Sequence, residues 1–259
     1  MGRKQLSATV SGVLVLAIML FVSSPAEAGV VRVAYGYPDV IYSAQPGESN
    51  QVTVTVSELP PSVIDPELAR SRVIISDTGA PVTAGQGCQL ANTPLAPSTA
   101  VCDVNAYPAE ANNPGINVNL GDGNDQLSFE GPGGGLKVIG GPGNDKIYGS
   151  PAIDFLFGGS GDDYLAGLGG SDFFLGGPGR DYLLGGDARD ALDGGLGKDK
   201  IYGGTGNDVI GTYIGNCPHY STPRKYQGNN KVNGGTGNDK VNGGAGNDVI
   251  GTWGDGTDC

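Results

Sequence analysis

Aspartates recur in the second half of this 259-residue chain at a spacing suited to holding metal ions. Asp145, Asp154, Asp163, Asp172, Asp181, Asp190, Asp199 and Asp208 lie nine residues apart, as do Asp239 and Asp248 further on. An earlier copy of the same pattern supplies Asp125. Each sits in a Gly-rich turn without thiol or imidazole, so the donors on offer are carboxylate and backbone carbonyl oxygens. Oxygen sites of irregular geometry suit Ca2+ better than Mg2+, which demands an octahedron and keeps its waters. Two stacked carboxylates about 5 Å apart repel by on the order of 3 kcal/mol at an effective dielectric near 20. A column of them therefore needs cations. The plainer alternative, a solvated acidic surface, does not account for one invariant phase or for 21 Asp against 6 Glu.

Other chemistries find less support. No G-x-S-x-G elbow is present, and a Ser–His–Asp site would have to recruit His219, the single histidine. Cys217 with His219 lacks the paired spacing of a zinc site. The GxG fragments stand outside any βαβ unit, so they are not nucleotide sites. Carboxylates scattered through residues 29–119 keep a small polysaccharide-active enzyme as a remote alternative, and no catalytic residue is assigned. A net charge of −12 argues against a phosphate-backbone partner, so no nucleic acid is expected.

The elements that must position these aspartates follow from the same period. Gly140–Gly211 divides into eight nonapeptides: GGPGNDKIY, GSPAIDFLF, GGSGDDYLA, GLGGSDFFL, GGPGRDYLL, GGDARDALD, GGLGKDKIY and GGTGNDVIG. Gly234–Gly251 adds two more, and LGDGNDQLS at Leu120–Ser128 precedes them, with a degenerate Gly-rich stretch at Glu130–Ile139. Position six is Asp throughout the ten aligned copies, and position eight is always apolar, from Ile147, Leu156, Leu165 and Phe174 to Val241 and Ile250. Six residues rich in Gly, Asn and Asp make a turn, and the last three make a short strand. One apolar residue per unit cannot be buried alone, so copies must stack. Two nonapeptides then form one coil with position eight inside, and each 18-residue step advances the stack by about 4.8 Å. The expected class is all-β, a solenoid.

Glycine supports this reading. Of 48 glycines, 39 fall after residue 119, without the three-residue period of collagen. Regularly spaced Leu, Ile, Phe and Tyr argue against disorder. The two edges of the solenoid differ: the copies starting at Gly140, Gly158, Gly176 and Gly194 keep their early glycines, whereas Ser150, Ala152, Leu168 and Ala188 replace glycines on the other edge. Such side chains should resist the turn and crowd an ion. The spacing thus predicts a well-occupied column along Asp145, Asp163, Asp181 and Asp199 and a weaker one along Asp154, Asp172, Asp190 and Asp208. Outward positions predict an apolar patch of Phe155, Phe157, Phe173 and Leu175. They also predict a tyrosine row of Tyr148, Tyr164, Tyr182 and Tyr202 beside Lys146 and Lys200, read first as a ladder that stabilises the sheet.

Three regions are expected. Residues 1–28 read as a signal peptide: Arg3 and Lys4, an apolar run from Val13 to Val22, and small residues before a cleavage site after Ala28. The run is short for a bilayer span, so a secreted, extracellular protein without stable membrane insertion is expected. Residues 29–119 carry short β-branched runs broken by Pro and Gly, a β-rich cap or a small separate sandwich. Residues 120–259 form the solenoid, with a loop insertion at 212–233. Four cysteines suggest two disulfides. Cys88 and Cys102 flank one Pro/Ser/Thr-rich loop and are paired here, leaving Cys217 with Cys259.

The G-G-x-G-x-D-x-U-x pattern resembles the hemolysin-type calcium-binding repeat, the nonapeptide of the RTX family, over about half of the chain. The resemblance implies a parallel β-roll with several Ca2+ ions held between turns, and a roll poorly folded without them. The ion-holding positions it implies are the eleven aspartates above with Gly141, Gly143, Gly159, Gly161, Gly177, Gly179, Gly195 and Gly197. The family's usual C-terminal export signal and pore formation do not carry over to this N-terminal leader. The expected function is that of a secreted, non-catalytic calcium-binding repeat protein whose folding is coupled to Ca2+. The alternative is a calcium-dependent module for extracellular polysaccharide or another surface partner.

Overall fold

The computed structural model describes residues 29–33, 40–59, 70–91, 98–105, 115–211, 231–236, 240–241 and 249–251. These residues are all-β, with no helix among them. Two sheets of ten and eleven strands face one another. Through the repeats, successive nonapeptides alternate between the sheets, and each strand pairs in parallel with the strand 18 residues on. Lys146–Tyr148 lies against Tyr164–Leu168, with Ile147 opposite Leu165, and Phe155–Ser160 lies against Phe173–Gly179, with Leu156 opposite Phe174. This is the stacked solenoid expected from the period, in the parallel β-roll form that the resemblance implied.

Because side chains alternate across a strand, position eight alone points between the sheets. Ile147, Leu156, Leu165, Phe174, Leu183, Leu192, Ile201 and Ile210 are all buried. Each such side chain contributes about 1.5–3 kcal/mol by leaving water. The column fades at its C-terminal end, where Val241 is partly buried and Ile250 is 49 % exposed. Ile250 lies in the last described strand, so its expected interior place lacks a coil stacked beyond it among the described residues. The stack also resumes before Gly234: Lys231–Thr236 pairs with Lys200–Thr205, and Val232 joins the core opposite Ile201.

The β-rich N-terminal region extends the same two sheets. Val40–Ser43 pairs in parallel with Ile116–Asn119, and Gln51–Leu59 pairs in parallel with Gln126–Glu130. Beyond them the ladder turns largely antiparallel, through Arg70–Asp77, Thr99–Asn105 and Cys88–Leu90 on one sheet. Val52, Val54, Val73 and Ile75 belong to one buried cluster with the repeat residues. Cys88 and Cys102 are disulfide-bonded, as their flanking positions suggested. Residues 1–28, the Cys217 to Cys259 pairing, His219, Asp239, Asp248 and most of the 212–233 loop lie outside the described residues.

Outward positions follow the expected rows. Phe173 packs on Phe155 and Phe157 at 6.1 and 5.9 Å between centroids, and Phe157 pairs in register with Leu175. Tyr148, Tyr164, Tyr182 and Tyr202 form a continuous ladder with centroid spacings of 5.5, 5.3 and 5.4 Å. The Lys146 ammonium lies over the Tyr148 and Tyr164 rings, and that of Lys200 over Tyr182.

Candidate metal sites

Stacking at an 18-residue step brings each position-six aspartate over its counterpart in the next coil, and the two carboxylate oxygens divide the work. One oxygen caps the backbone. The N–H of Asp145 donates to Asp163 Oδ1 at 2.8 Å, that of Asp163 to Asp181 Oδ1 at 2.9 Å, and that of Asp181 to Asp199 Oδ1 at 2.9 Å. The second edge repeats the pattern, from Asp154 to Asp172, Asp172 to Asp190 and Asp190 to Asp208, at 2.8, 2.8 and 2.9 Å. At the N-terminal end, the Asp125 N–H donates to Asp145 Oδ1 at 2.9 Å.

The other oxygen has no such partner. Oδ2 of Asp125, Asp145, Asp163, Asp172, Asp181 and Asp190 is buried and accepts no hydrogen bond. An uncompensated buried polar atom costs about 1–3 kcal/mol, more when charged. Nearby, the chain supplies further oxygen. A Cβ built on Gly176 would lie 2.5 Å from Asp181 Oδ2 and 2.6 Å from the Gly194 carbonyl, so oxygens from consecutive coils reach the same point. A Cβ tolerates neither contact, so position one must be glycine for these two oxygens to approach one another. The equivalent cradle lies beside Gly140, formed by Asp145 and Gly158, and beside Gly158, formed by Asp163 and Gly176. It recurs on the second edge beside Gly167, from Asp172 and Gly185, and beside Gly185, from Asp190 and Gly203.

Electrostatics point the same way. Burial, the largest cause in each case, pushes the carboxyls of Asp163 and Asp199 up to about 6 and those of Asp145 and Asp190 to about 7. Asp181 rises to about 8 and Asp172 to about 9, with neighbouring aspartates of the column adding to the shift. Asp172 and Asp181 thus hold a proton near neutral pH unless another positive charge takes its place, while the others ionise at or below it. Among the described residues no three His, Cys, Asp or Glu side chains cluster as a metal site. The carboxylates stand in single file, so carbonyl oxygens must complete any coordination shell. All-oxygen donors, orphaned anionic oxygens and irregular geometry fit Ca2+.

The glycine that lies against each aspartate Oδ2 is that of position one. Gly141, Gly143, Gly159, Gly161, Gly177, Gly179, Gly195 and Gly197 pack on the preceding coil, where an added Cβ would strike the carbonyls of Gly121, Gly123, Gly141, Gly143, Gly159, Gly161, Gly177 and Gly179. Position one carries the cradle. Its signal was present in the chain: position one is Gly in all ten aligned copies, including the degenerate ones.

The expected inequality of the edges takes a different form. Leu168 and Ala188 do not resist the turn; they adopt it at φ 77° and 81°, a left-handed conformation that costs an L-residue about 1–2 kcal/mol. The carboxylates of Asp172 and Asp190 are as orphaned as those of Asp145 and Asp181. Asp154 departs from them, since Ser150 donates to both of its oxygens.

A family model described as the RTX calcium-binding nonapeptide repeat (4 copies) matches residues 139–174, 175–210 and 226–256. No curated protein and no solved structure matches the chain. With the stacked turns, the single-file aspartates and this match in agreement, the chain carries RTX calcium-binding nonapeptide repeats, and its solenoid is the parallel β-roll that such repeats build.

Proposed function

We propose that this chain is a secreted, non-catalytic calcium-binding protein in which several Ca2+ ions sit between stacked turns and drive the roll to fold. The observation that carries this reading is the set of buried, unpartnered Oδ2 atoms converging on carbonyls of the next coil. The position-six aspartates supply the charge, and the position-one glycines leave room and supply carbonyls. Each ion would replace the protons that burial otherwise holds on the column. Residues 1–28 would direct export and be removed after Ala28.

The test is far-UV circular dichroism of the mature protein, stripped with EDTA and titrated with Ca2+, with Mg2+ as control. A cooperative gain of β signal specific to Ca2+ is expected. A roll fully folded without metal and indifferent to Ca2+ would refute the coupling. N-terminal sequencing of exported protein should begin at Gly29.

The outward face of one sheet favours a second reading, a calcium-dependent module for polysaccharide. In a chain of net charge −12, the tyrosine ladder and the Lys146 and Lys200 ammonium groups form a strip of ring and cation. Retention on a glycan array that disappears with Tyr164→Ala and Tyr182→Ala would support it; retention unchanged by them would not.

A further inference from the structure

Resting on the calcium reading above, we infer that the chain closes two rungs of its cation columns with its own hydrogen bonds, through Ser150 on one edge and Asn50 at the N-terminal end of the other. At these two places a protein donor stands where the other rungs leave oxygens facing oxygens.

At the first rung, the Ser150 N–H donates to Asp154 Oδ2 at 2.6 Å and its hydroxyl to Oδ1 at 2.9 Å. The Leu136 N–H adds a third bond to Oδ1 at 2.7 Å. Both oxygens of Asp154 are thus partnered, unlike those of Asp172 and Asp190 below it. Ser150 and Asp154 are fully buried. The Gly167 carbonyl also stands back here, 3.1 Å from the Cβ position of Gly149, against 2.7 Å for the corresponding Gly185 carbonyl at Gly167. Three hydrogen bonds satisfy the carboxylate, and a cation entering this rung would have to displace them.

The second rung was invisible as a repeat. Residues 45–50 stack on residues 120–125 at an offset of 75, with Gln51 opposite Gln126 and Val52 opposite Leu127. Asn50 therefore occupies position six of a cryptic turn, and its N–H caps Asp125 Oδ1 at 2.6 Å, as aspartate N–H groups do along the column. Its side chain differs in one atom. Where Asp181 Oδ2 meets the carbonyl of the next coil's position one, Asn50 Nδ2 donates to the Leu120 carbonyl at 2.7 Å. An amide has a donor where a carboxylate has none, so it bonds the carbonyl directly and leaves a cation nothing to bridge. Tyr42 packs beside the amide, its hydroxyl 3.2 Å from Asn50 Oδ1 and donating its single proton chiefly to Asp77 Oδ2 at 2.7 Å.

Two variants open these rungs. Ser150→Gly with Ala152→Gly removes the hydroxyl bond and places glycine where the copy at Gly140 has Gly141 and Gly143, whose positive φ lets the turn swing the residue-150 N–H away from Asp154 Oδ2, and Asn50→Asp places a carboxylate at position six. Wild type and variants are equilibrated with Ca2+, dialysed, and the bound calcium per chain is counted by plasma emission spectrometry, with circular dichroism confirming the fold. Each variant is expected to carry one more ion than wild type and, in EDTA, to melt below it. A wild type that binds calcium while both variants carry the same number of ions overturns the inference. A wild type that binds none overturns the calcium reading itself, so the two failures are told apart by the wild-type count. Should the Ser150 variant fail to fold in calcium, the Asn50→Asp count decides, since that change needs no new backbone conformation.

Discussion

Replacing Asp181 by Asn should stabilise the metal-free roll and weaken the calcium-loaded one. The amide keeps Oδ1, which caps the Asp163 N–H at 2.9 Å, so the backbone register is preserved. It exchanges the orphaned Oδ2 for a donor that can reach the Gly194 carbonyl, as Asn50 reaches that of Leu120. Without metal the substitution removes one unsatisfied buried atom, which contributes about 1–3 kcal/mol of relief. For a chain of this size each kcal/mol moves the midpoint by about 2–4 °C. The effect grows as pH rises through about 8, where the Asp181 carboxyl ionises. With Ca2+ present the same change removes a ligand oxygen and its charge. Thermal melts of Asp181→Asn and wild type, each in EDTA and in Ca2+, should therefore shift in opposite directions. A variant destabilised equally in both solutions would refute the argument, because it would show that Oδ2 is satisfied within the apoprotein.

Further outcomes follow from the same geometry. The column carboxyls are raised above their ordinary value of 3.8 to between about 6 and about 9, so the folded apoprotein binds more protons than the unfolded chain in that range. The stability these groups contribute is fully present below pH 3.8 and is lost as pH rises through the folded values; urea midpoints in EDTA should fall from pH 5 to pH 9, and calcium binding near pH 7 should release protons measurable by calorimetry in buffers of different ionisation enthalpy. Gly176→Ala places a methyl against two oxygens of the cradle and should cost at least about 2 kcal/mol in calcium, with a matching rise in the Ca2+ midpoint of the dichroism titration. Leu168→Gly should raise the thermal midpoint by a gain of about 0.5–1 kcal/mol, since relief of the positive φ exceeds the entropy glycine adds to the unfolded chain.

Some of this molecule was legible in its residues alone. A nine-residue phase of Asp at six and an apolar residue at eight determines a turn and a short strand, and one apolar residue per unit forces stacking. From that follow the 18-residue register, the buried column from Ile147 to Ile210, and oxygen donors suited to Ca2+. Each of these depends on contacts between residues at a constant sequence separation, which a linear text displays.

Tertiary structure decided the rest, where partners lie at irregular separations or where atoms rather than residue types matter. The turn at residues 45–50 joins the stack across a 75-residue interval, and its Asn50 hides the repeat by replacing the aspartate. Which carboxylate oxygen caps the backbone and which is left for an ion is set by the coil below it. Position-one glycine was invariant in the chain, yet its reason is a meeting of two oxygens from consecutive coils. Ser150 reads in sequence as a lost glycine; in the folded chain it is the donor that satisfies Asp154. Sequence fixes periodicity because neighbours in a solenoid are neighbours by count, whereas satisfaction of a buried charge depends on the direction of single atoms, which only the folded chain determines.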